Sequence, residues 1–191
     1  MSRSVIGLGL ALAIAVLPAC NKADDGNQNA NLATGEKDAK GTEGMTIASG
    51  MAKDSQFMAA AKAAGLDQTL AGPGPYTVLA PNNAAFGKLP QGTLAGLQSP
   101  DKKGELTSLL TYHILPGVVL ADDIGKAIDN GKGKAVLATM GGDTVTATKD
   151  GGKIVLTDGA GNKATVVNAD QKRSNGIVHE IDTVLSPAKS G

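Results

Sequence analysis

The eleven residues from Tyr76 to Phe86, YTVLAPNNAAF, constrain the fold more than any other stretch of the chain. The first four, YTVL, favour a strand, and their mostly apolar character predicts that this strand is covered on both faces. Pro81 lacks an amide donor and biases the residue before it away from helical geometry, so the strand is predicted to end there. Asn82 or Asn83 can then cap a helix, since the side-chain oxygen can accept a hydrogen bond from an unpaired amide of the first turn.

The residues before this segment have helical spacing. Apolar residues recur from Ile47 to Met51 and again from Phe57 to Leu66, which predicts two amphipathic helices. Asp54 or Ser55 is expected to cap the second helix, and Gly65 is expected to end it in the left-handed conformation.

The chain after this segment continues with helices and then changes to strands. Thr93 is predicted to cap a short helix, and a longer helix is expected to begin at Pro100-Asp101. Pro116-Gly117 is predicted either to stop this helix or to turn the strand after it. From Lys134 onward the hydrophobic period becomes two, and Gly-rich turns separate short apolar runs, which predicts strands joined by hairpins. Because helices come first and strands come last, we expect an α+β fold in one domain.

Three segments, in this order along the chain, resemble the signature motifs of the fasciclin domain, an adhesion module found on cell surfaces. The segment from Tyr76 resembles the first motif, in which T-V-x-A-P is followed by a short polar pair and A-F. LLTYHILPG, residues 109–117, contains a tyrosine-histidine pair similar to that of the family, and NGIVHEIDTVLSP, residues 175–187, resembles the closing motif. The matching residues are Thr77, Pro81, Asn82, Asn83, Phe86, Tyr112, His113, Asn175, Gly176, His179 and Asp182.

The resemblance covers residues 45–187, and residues 188–191 are left as a short tail. It implies a compact β-sandwich or wedge with N-terminal and flanking helices, in which the closing motif pairs near the first. One departure from the family pattern is the pair Asn82-Asn83, which stands where the family commonly has Thr or Ser with Asp or Glu. Capping survives this change, but a negative charge at the start of the helix does not.

Tyr112 and His113 are candidate partner-binding residues, because in the family the equivalent pair and its apolar flanks are implicated in adhesion to other proteins. The alternative is that the flanking aliphatic residues belong to the core and that His113 braces the fold. Burial is favoured for the flanks, since aliphatic residues are found mostly inside proteins. The sequence leaves both roles of the pair open.

The N-terminus has the features of a bacterial lipoprotein export signal. Arg3 precedes an unbroken run of apolar residues and glycines that is too short to cross a bilayer as a helix. The run leads to LPAC, which resembles the lipobox and predicts a signal peptide, residues 1–19, that is removed before a lipid-modified Cys20. A plain secretion signal with a cysteine near its cleavage site is the alternative. Residues 20–44 are rich in Asn, Asp, Gly and Lys and are expected to form a flexible tether that spans about 25 to 30 Å.

These features predict a protein of the cell envelope that is attached to a membrane through lipid and is either periplasmic or exposed at the surface. The outer membrane is favoured, because Asn21 is not the aspartate that some bacteria use for inner-membrane retention. Two or more acyl chains on Cys20 would hold the protein stably where one would not. Cys20 is also the only cysteine of the chain, which excludes a disulfide within one copy and a cysteine-rich metal site.

Composition and motifs favour neither nucleic acid as a partner nor a cofactor. The chain has 18 basic and 18 acidic residues and no tryptophan, and no segment of it is dominated by lysine or arginine. It contains no GxSxG, HExxH, Walker or dinucleotide-binding motif, so no catalytic residue is predicted. A metal at His113 or His179 would need further ligands, and in a strand Glu180 and Asp182 both point away from His179. The loop from Asp158 to Asn162 has one carboxylate and is predicted to be a turn rather than a calcium site.

We therefore expect an adhesion or protein-binding module with no reaction of its own, whose partner is a protein, a matrix component or another cell-surface molecule. A carrier of a small hydrophobic ligand is the alternative, and a hydrolase is the least supported class, because no catalytic constellation is visible. An aliphatic pocket of several hundred cubic ångströms would favour the carrier, whereas an exposed apolar patch would favour adhesion.

Overall fold

A computed structural model describes residues 44–188 of the chain. The predicted signal peptide, Cys20, the tether up to residue 43 and the last three residues lie outside the described residues. Among the residues described, no helix combines the length and the apolar character needed to cross a membrane.

Strand β1, Tyr76–Pro81, lies between two hydrophobic clusters and is buried on both faces, as its sequence predicts. Val78 and Ala80 pack in the first cluster, together with most of the helices. Leu79 points the other way and packs in the second cluster. Because successive side chains of a strand point to opposite faces, this one strand contributes to both cores.

Within residues 44–188, three helices precede β1 and every helix precedes the run of strands that begins at Ala135, as the hydrophobic spacing predicts. Ser55 caps the second helix, with its hydroxyl accepting a bond from the Met58 N–H, and Gly65 ends the helix with a φ of 81°. Within residues 44–188 the helices are α1 Ile47–Gly50, α2 Gln56–Ala64, α3 Asp67–Ala71, α4 Asn83–Gly87, α5 Thr93–Leu97, α6 Lys103–Tyr112 and α7 Ala121–Asn130, with a 3₁₀ turn at Pro100–Lys102 before α6.

Two helices differ from the sequence prediction. Thr93 does not cap α5 but is its first residue, and Gly92, with a φ of 81°, precedes it without a side-chain cap. Glycine adopts this left-handed backbone without steric cost, so the chain can turn directly into the helix. Helix α7 is not predicted at all, although Ile124 and Ile128 lie four residues apart and are both buried.

The remaining strands are β2 Ile114–Pro116, β3 Ala135–Ala138, β4 Thr144–Asp150, β5 Lys153–Thr157, β6 Lys163–Arg173 and β7 Gly176–Ile181. In the described part of the chain, the seven strands form one sheet in the order β2-β1-β7-β6-β5-β4-β3. Strands β1 and β7 run parallel, and the other neighbours are antiparallel. Leu79 in the first motif lies opposite His179 in the closing motif, so the two motifs pair directly, which confirms the expected neighbourhood.

The sheet nearly closes on itself. Met140, just beyond β3, donates its N–H to the carbonyl oxygen of Ile114 in β2, with 2.7 Å between the nitrogen and the oxygen. The second cluster fills the interior of this sheet, and α7 contributes two isoleucines to it. The fold is an α+β wedge with flanking helices, which confirms the predicted fold class.

Candidate functional site

Helix α6 places Tyr112 and His113 where the helices meet the sheet. Leu106 and Leu110 are buried on the same helix, and His113 occupies the C-cap position, where its N–H bonds to the Leu110 carbonyl. Tyr112 and His113 are themselves almost completely buried. The tyrosine-histidine pair therefore lies inside the fold.

Both ring nitrogens of His113 bond to the backbone. Nδ1 donates to the carbonyl oxygen of Leu109, one turn earlier, at 2.8 Å, and Nε2 accepts the N–H of Leu185 at 3.0 Å. These two bonds require the neutral imidazole with its proton on Nδ1. Burial lowers the pKa of His113 to about 4, although the bond to Leu109 and the charge of Asp158 act in the opposite direction. The ring joins the end of α6 to the C-terminal segment.

The Tyr112 hydroxyl also makes two backbone bonds. It donates to the Thr144 carbonyl at 2.9 Å and accepts the Gly159 N–H at 3.0 Å. Burial raises the pKa of Tyr112, and the charges of Asp158 and Asp143 add to this effect, while the bond from Gly159 opposes it. The phenol joins α6 to β4 and to the turn after β5.

Asp158 is a structural residue whose full role is not evident from the sequence. Its carboxylate accepts the N–H groups of Ala160 and Asn162 and the side-chain amide of Asn162, which makes the loop the turn that was predicted. The same carboxylate accepts the N–H of Ser186 at 2.7 Å. An aspartate followed by Gly-Ala-Gly-Asn indicates the turn, but nothing local indicates the bond to a residue 28 positions away.

Thr77 and His179, from the first and closing motifs, hold one short segment of backbone between β2 and α7. The Thr77 hydroxyl donates to the Gly117 carbonyl at 2.8 Å and accepts the Val119 N–H at 2.9 Å. His179 Nε2 donates to the Val119 carbonyl at 2.8 Å, and its Nδ1 accepts the Asp170 N–H at 3.1 Å. Both histidines of the chain therefore have both ring nitrogens bonded to backbone groups. In the part of the chain described, no three His, Cys, Asp or Glu side chains are grouped so that they could hold a metal ion.

Asn175 and Gly176 begin the closing motif and fix the N-terminal helices. The Asn175 side chain accepts the Ile47 N–H and donates to the carbonyls of Leu70 and Gly72, all within 2.9 Å. A β-carbon at position 176 would overlap the backbone of the paired strand β1, which explains why glycine stands there.

The two asparagines after Pro81 have different structural roles. Asn82 caps α4 by accepting the Ala85 N–H at 2.8 Å. Asn83 reaches back to α2, where it accepts the Gln56 N–H and donates to the Asp54 carbonyl. The prediction that one of the two caps the helix is confirmed for Asn82, and Asn83 links two helices instead.

Three further motif residues also serve the fold. Pro81 is the buried last residue of β1, and Phe86 packs in the first hydrophobic cluster. Burial would raise the pKa of Asp182, but the bonds from Thr165 and Thr183 and the charge of Lys88 lower it overall. Asp182 Oδ1 accepts the Thr165 N–H at 2.8 Å and so joins β6 to the end of the closing motif.

Within residues 44–188 the surface has open grooves, and neither His113 nor His179 lines the grooves described here. One groove, of about 640 Å³, is lined mainly by apolar groups, including Pro73, Pro75, Leu120 and Ile177. Val118 stands at this groove with 52% of its surface exposed. A second groove, of about 410 Å³, borders the Pro81-Asn82-Asn83 turn and has a more polar lining.

The comparisons with known proteins agree with the motifs. The family model of the fasciclin domain matches residues 52–187. The chain belongs to the fasciclin domain family. Protein sll1483 of Synechocystis sp. is 39% identical over 141 residues, which cover 74% of this chain and 71% of that protein. The transforming growth factor-beta-induced protein ig-h3 of Sus scrofa is 34% identical over 143 residues. These residues cover 75% of this fasciclin chain and 19% of the Sus scrofa protein.

A solved structure shares the fold. A FAS1 domain pair from the insect cell adhesion molecule Fasciclin I has a TM-score of 0.51 and 26% identity to this chain. The match covers 68% of this fasciclin chain and 44% of the solved one. The immunogenic protein MPB70 of Mycobacterium bovis, 36% identical over 114 residues, is a bacterial relative, covered over 51% of its length.

Proposed function

We propose that this protein is a lipid-anchored fasciclin domain that works outside the cytoplasm by binding protein or matrix surfaces and carries out no reaction of its own. The family membership supports binding, because a domain pair of the same fold comes from a cell adhesion molecule.

The observation that carries the proposal is the internal use of the signature side chains. Thr77, Tyr112, His113 and His179 are buried, and their polar atoms bond to backbone groups. An acid-base or nucleophilic role requires a group that can reach a substrate, and these groups are occupied. A domain built in this way offers a shaped surface to its partner, with Tyr112 and His113 supporting that surface from inside.

Attachment to a membrane is proposed from Cys20 and the LPAC sequence before it. Intact mass measurement of the mature protein from the membrane fraction should give an N-terminal Cys20 carrying a diacylglyceryl group. The Cys20→Ala variant should lack that mass and leave the membrane fraction. A membrane-bound protein with an unmodified Cys20 would contradict the anchor.

Cross-linking on intact producing cells tests the binding proposal. We expect the tagged wild type to capture proteins of the cell envelope. The His113→Ala variant, compared at neutral pH, separates the two roles of His113. Loss of capture with an unchanged free energy of unfolding would assign a direct contact to the imidazole, whereas parallel loss of both supports internal bracing. A folded wild type that captures nothing would contradict the binding function.

A carrier of a small apolar ligand is the second candidate, favoured by the 640 Å³ groove and its apolar lining. Known ligand sites have volumes in this range, but they enclose most of the ligand surface, and this groove opens to solvent. Saturable binding of a fluorescent fatty acid, lost in a Leu120→Asp variant that stays folded, would favour the carrier over adhesion.

A further inference from the structure

Val118 is an exposed aliphatic residue on a rigid backbone. The residue before it is fixed by bonds from the Thr77 hydroxyl to the Gly117 carbonyl and from the Gly117 N–H to the Pro75 carbonyl. The residue after it, Val119, is fixed through both its N–H and its carbonyl, by Thr77 and His179. Buried polar side chains thus hold the valine outward, and an apolar side chain held in water on a rigid segment suits an interaction surface.

The N-terminal segment enters the domain beside the same groove. Met45, with 45% of its surface exposed, accepts the Ser174 N–H through its carbonyl at 2.9 Å, and Ser174 lines the groove. We name this region the tether-side surface and define it by Met45, Pro73, Pro75, Val118, Leu120 and Ile177. Cys20 lies 25 residues before Met45. A fully extended chain of this length spans at most about 85 Å, and a flexible chain has an end-to-end distance of about 25 to 30 Å.

The charges around the tether-side surface suit phospholipid headgroups. Lys172 and Arg173 line the groove, and the Arg173 guanidinium also donates to the Gly50 carbonyl at 3.0 Å. None of the lining residues, all within 44–188, is acidic. The nearest aspartates by sequence are engaged: Asp122 pairs with Lys126 at 2.6 Å, Asp123 accepts the Leu120 N–H at 3.4 Å, and Asp170 accepts the Ala121 N–H at 2.9 Å. Exposed apolar groups flanked by cations are the combination that holds proteins at a bilayer interface.

We propose that the tether-side surface rests on the phospholipid bilayer, with Val118 and Met45 entering the headgroup region. The inference rests on the proposed lipid anchor, since attachment at Cys20 keeps this surface near the membrane at high effective concentration and makes a weak contact sufficient. Docking fixes the orientation of the domain and leaves the surfaces remote from the groove for a partner.

The experiment uses the absence of tryptophan and the single cysteine of the chain. The predicted mature chain, residues 20–191, is coupled through the Cys20 thiol to a maleimide headgroup in vesicles of neutral and anionic phospholipid. Val118→Trp gives a sole tryptophan at the tether-side surface. Val167→Trp is the matched control, because Val167 is 51% exposed on β6 next to Val166, which pairs with Ile181 at the end of β7 opposite to the Gly176 and Ile177 of the groove. Emission is recorded with and without lipids that carry brominated acyl chains.

We expect brominated lipids to reduce the emission of Val118→Trp by about twofold or more, since a residue at the acyl boundary meets the quencher. The emission of Val167→Trp should stay unchanged, and adding Lys172→Glu should reduce the quenching at position 118 on anionic vesicles. Equal quenching of the two tryptophans, or no quenching of either, would overturn the proposal. The tether-side surface would then not be a membrane contact. In these vesicles the chain is attached chemically, so the quenching result does not depend on lipidation in cells. A cell that does not lipidate Cys20 would contradict the proposed anchor but would leave the quenching result unchanged.

Discussion

The titration of His113 gives the sharpest test of its internal role. The imidazole is neutral in the folded state, with a pKa lowered by burial from 6.5 to about 4. Its Nε2 accepts the Leu185 N–H, so protonation of Nε2 removes that bond. The new imidazolium N–H then faces the Leu185 N–H, and two donors repel each other. The unfolded chain takes up the proton more readily than the folded chain between these two pH values.

The sign and size of the effect follow from proton linkage. The stability that depends on neutral His113 is present in full above about pH 6.5 and is lost as the pH falls towards about 4. At about 1.4 kcal/mol for each pH unit, the loss amounts to about 3 kcal/mol of unfolding free energy.

Urea unfolding of the wild type and of His113→Asn, at pH values from 4 to 7.5, measures this loss. Asparagine can donate and accept but does not titrate, so the variant should be less stable at neutral pH and the difference should shrink by about 3 kcal/mol towards pH 4. The carboxylates titrate in both proteins and cancel in the difference. Two stability curves that stay parallel across this range would refute the reasoning.

Four substitutions test the other internal bonds by urea unfolding at neutral pH. Thr77→Val keeps the shape of the side chain but leaves a backbone carbonyl and a backbone N–H unpaired, so we expect a loss of about 2 to 3 kcal/mol; a change below about 0.5 kcal/mol would speak against the bridge. Asn175→Ala removes three backbone bonds and should cost about 3 kcal/mol, against about 1 kcal/mol for the helix cap removed by Asn82→Ala, and equal losses would contradict the difference. Tyr112→Phe should cost about 2 kcal/mol while retaining the buried ring, and an unchanged midpoint would show that the hydroxyl bonds contribute nothing.

Features fixed by neighbouring residues are predictable from this sequence. The strand before Pro81, the cap at Asn82 and the end of α2 at Gly65 depend on backbone preferences within a few positions. The choice between Asn82 and Asn83 as the cap is not local, because Asn83 is drawn to α2, 27 residues earlier.

Helix α7 shows why part of the fold is missed. Its sequence, ADDIGKAIDN, contains a glycine and few large apolar residues. Short helices with weak intrinsic propensity form because they pack against the rest of the protein. The two isoleucines bury themselves in the second cluster with residues of β4 and β5, and those partners are distant in sequence.

The roles of the two histidines depend on contacts that no local pattern contains. Both lie in apolar surroundings, and the sequence leaves binding and bracing open for His113. The bonding partners that distinguish the roles, Leu185 and Val119, lie 72 and 60 positions away from the histidines that they contact. The topology of the sheet brings these groups together, and the resemblance to the family supplies the topology.

Adhesion measured directly on cells tests the central proposal most simply. Beads that carry the mature chain through the Cys20 thiol present the domain as the proposed anchor would, and their detachment force from intact producing cells can be compared with that of bare beads. We expect a higher detachment force with the wild-type chain, abolished when the proteins on the cell surface are digested beforehand. Detachment forces equal to those of bare beads, with the domain shown to be folded, would contradict an adhesive function for this protein.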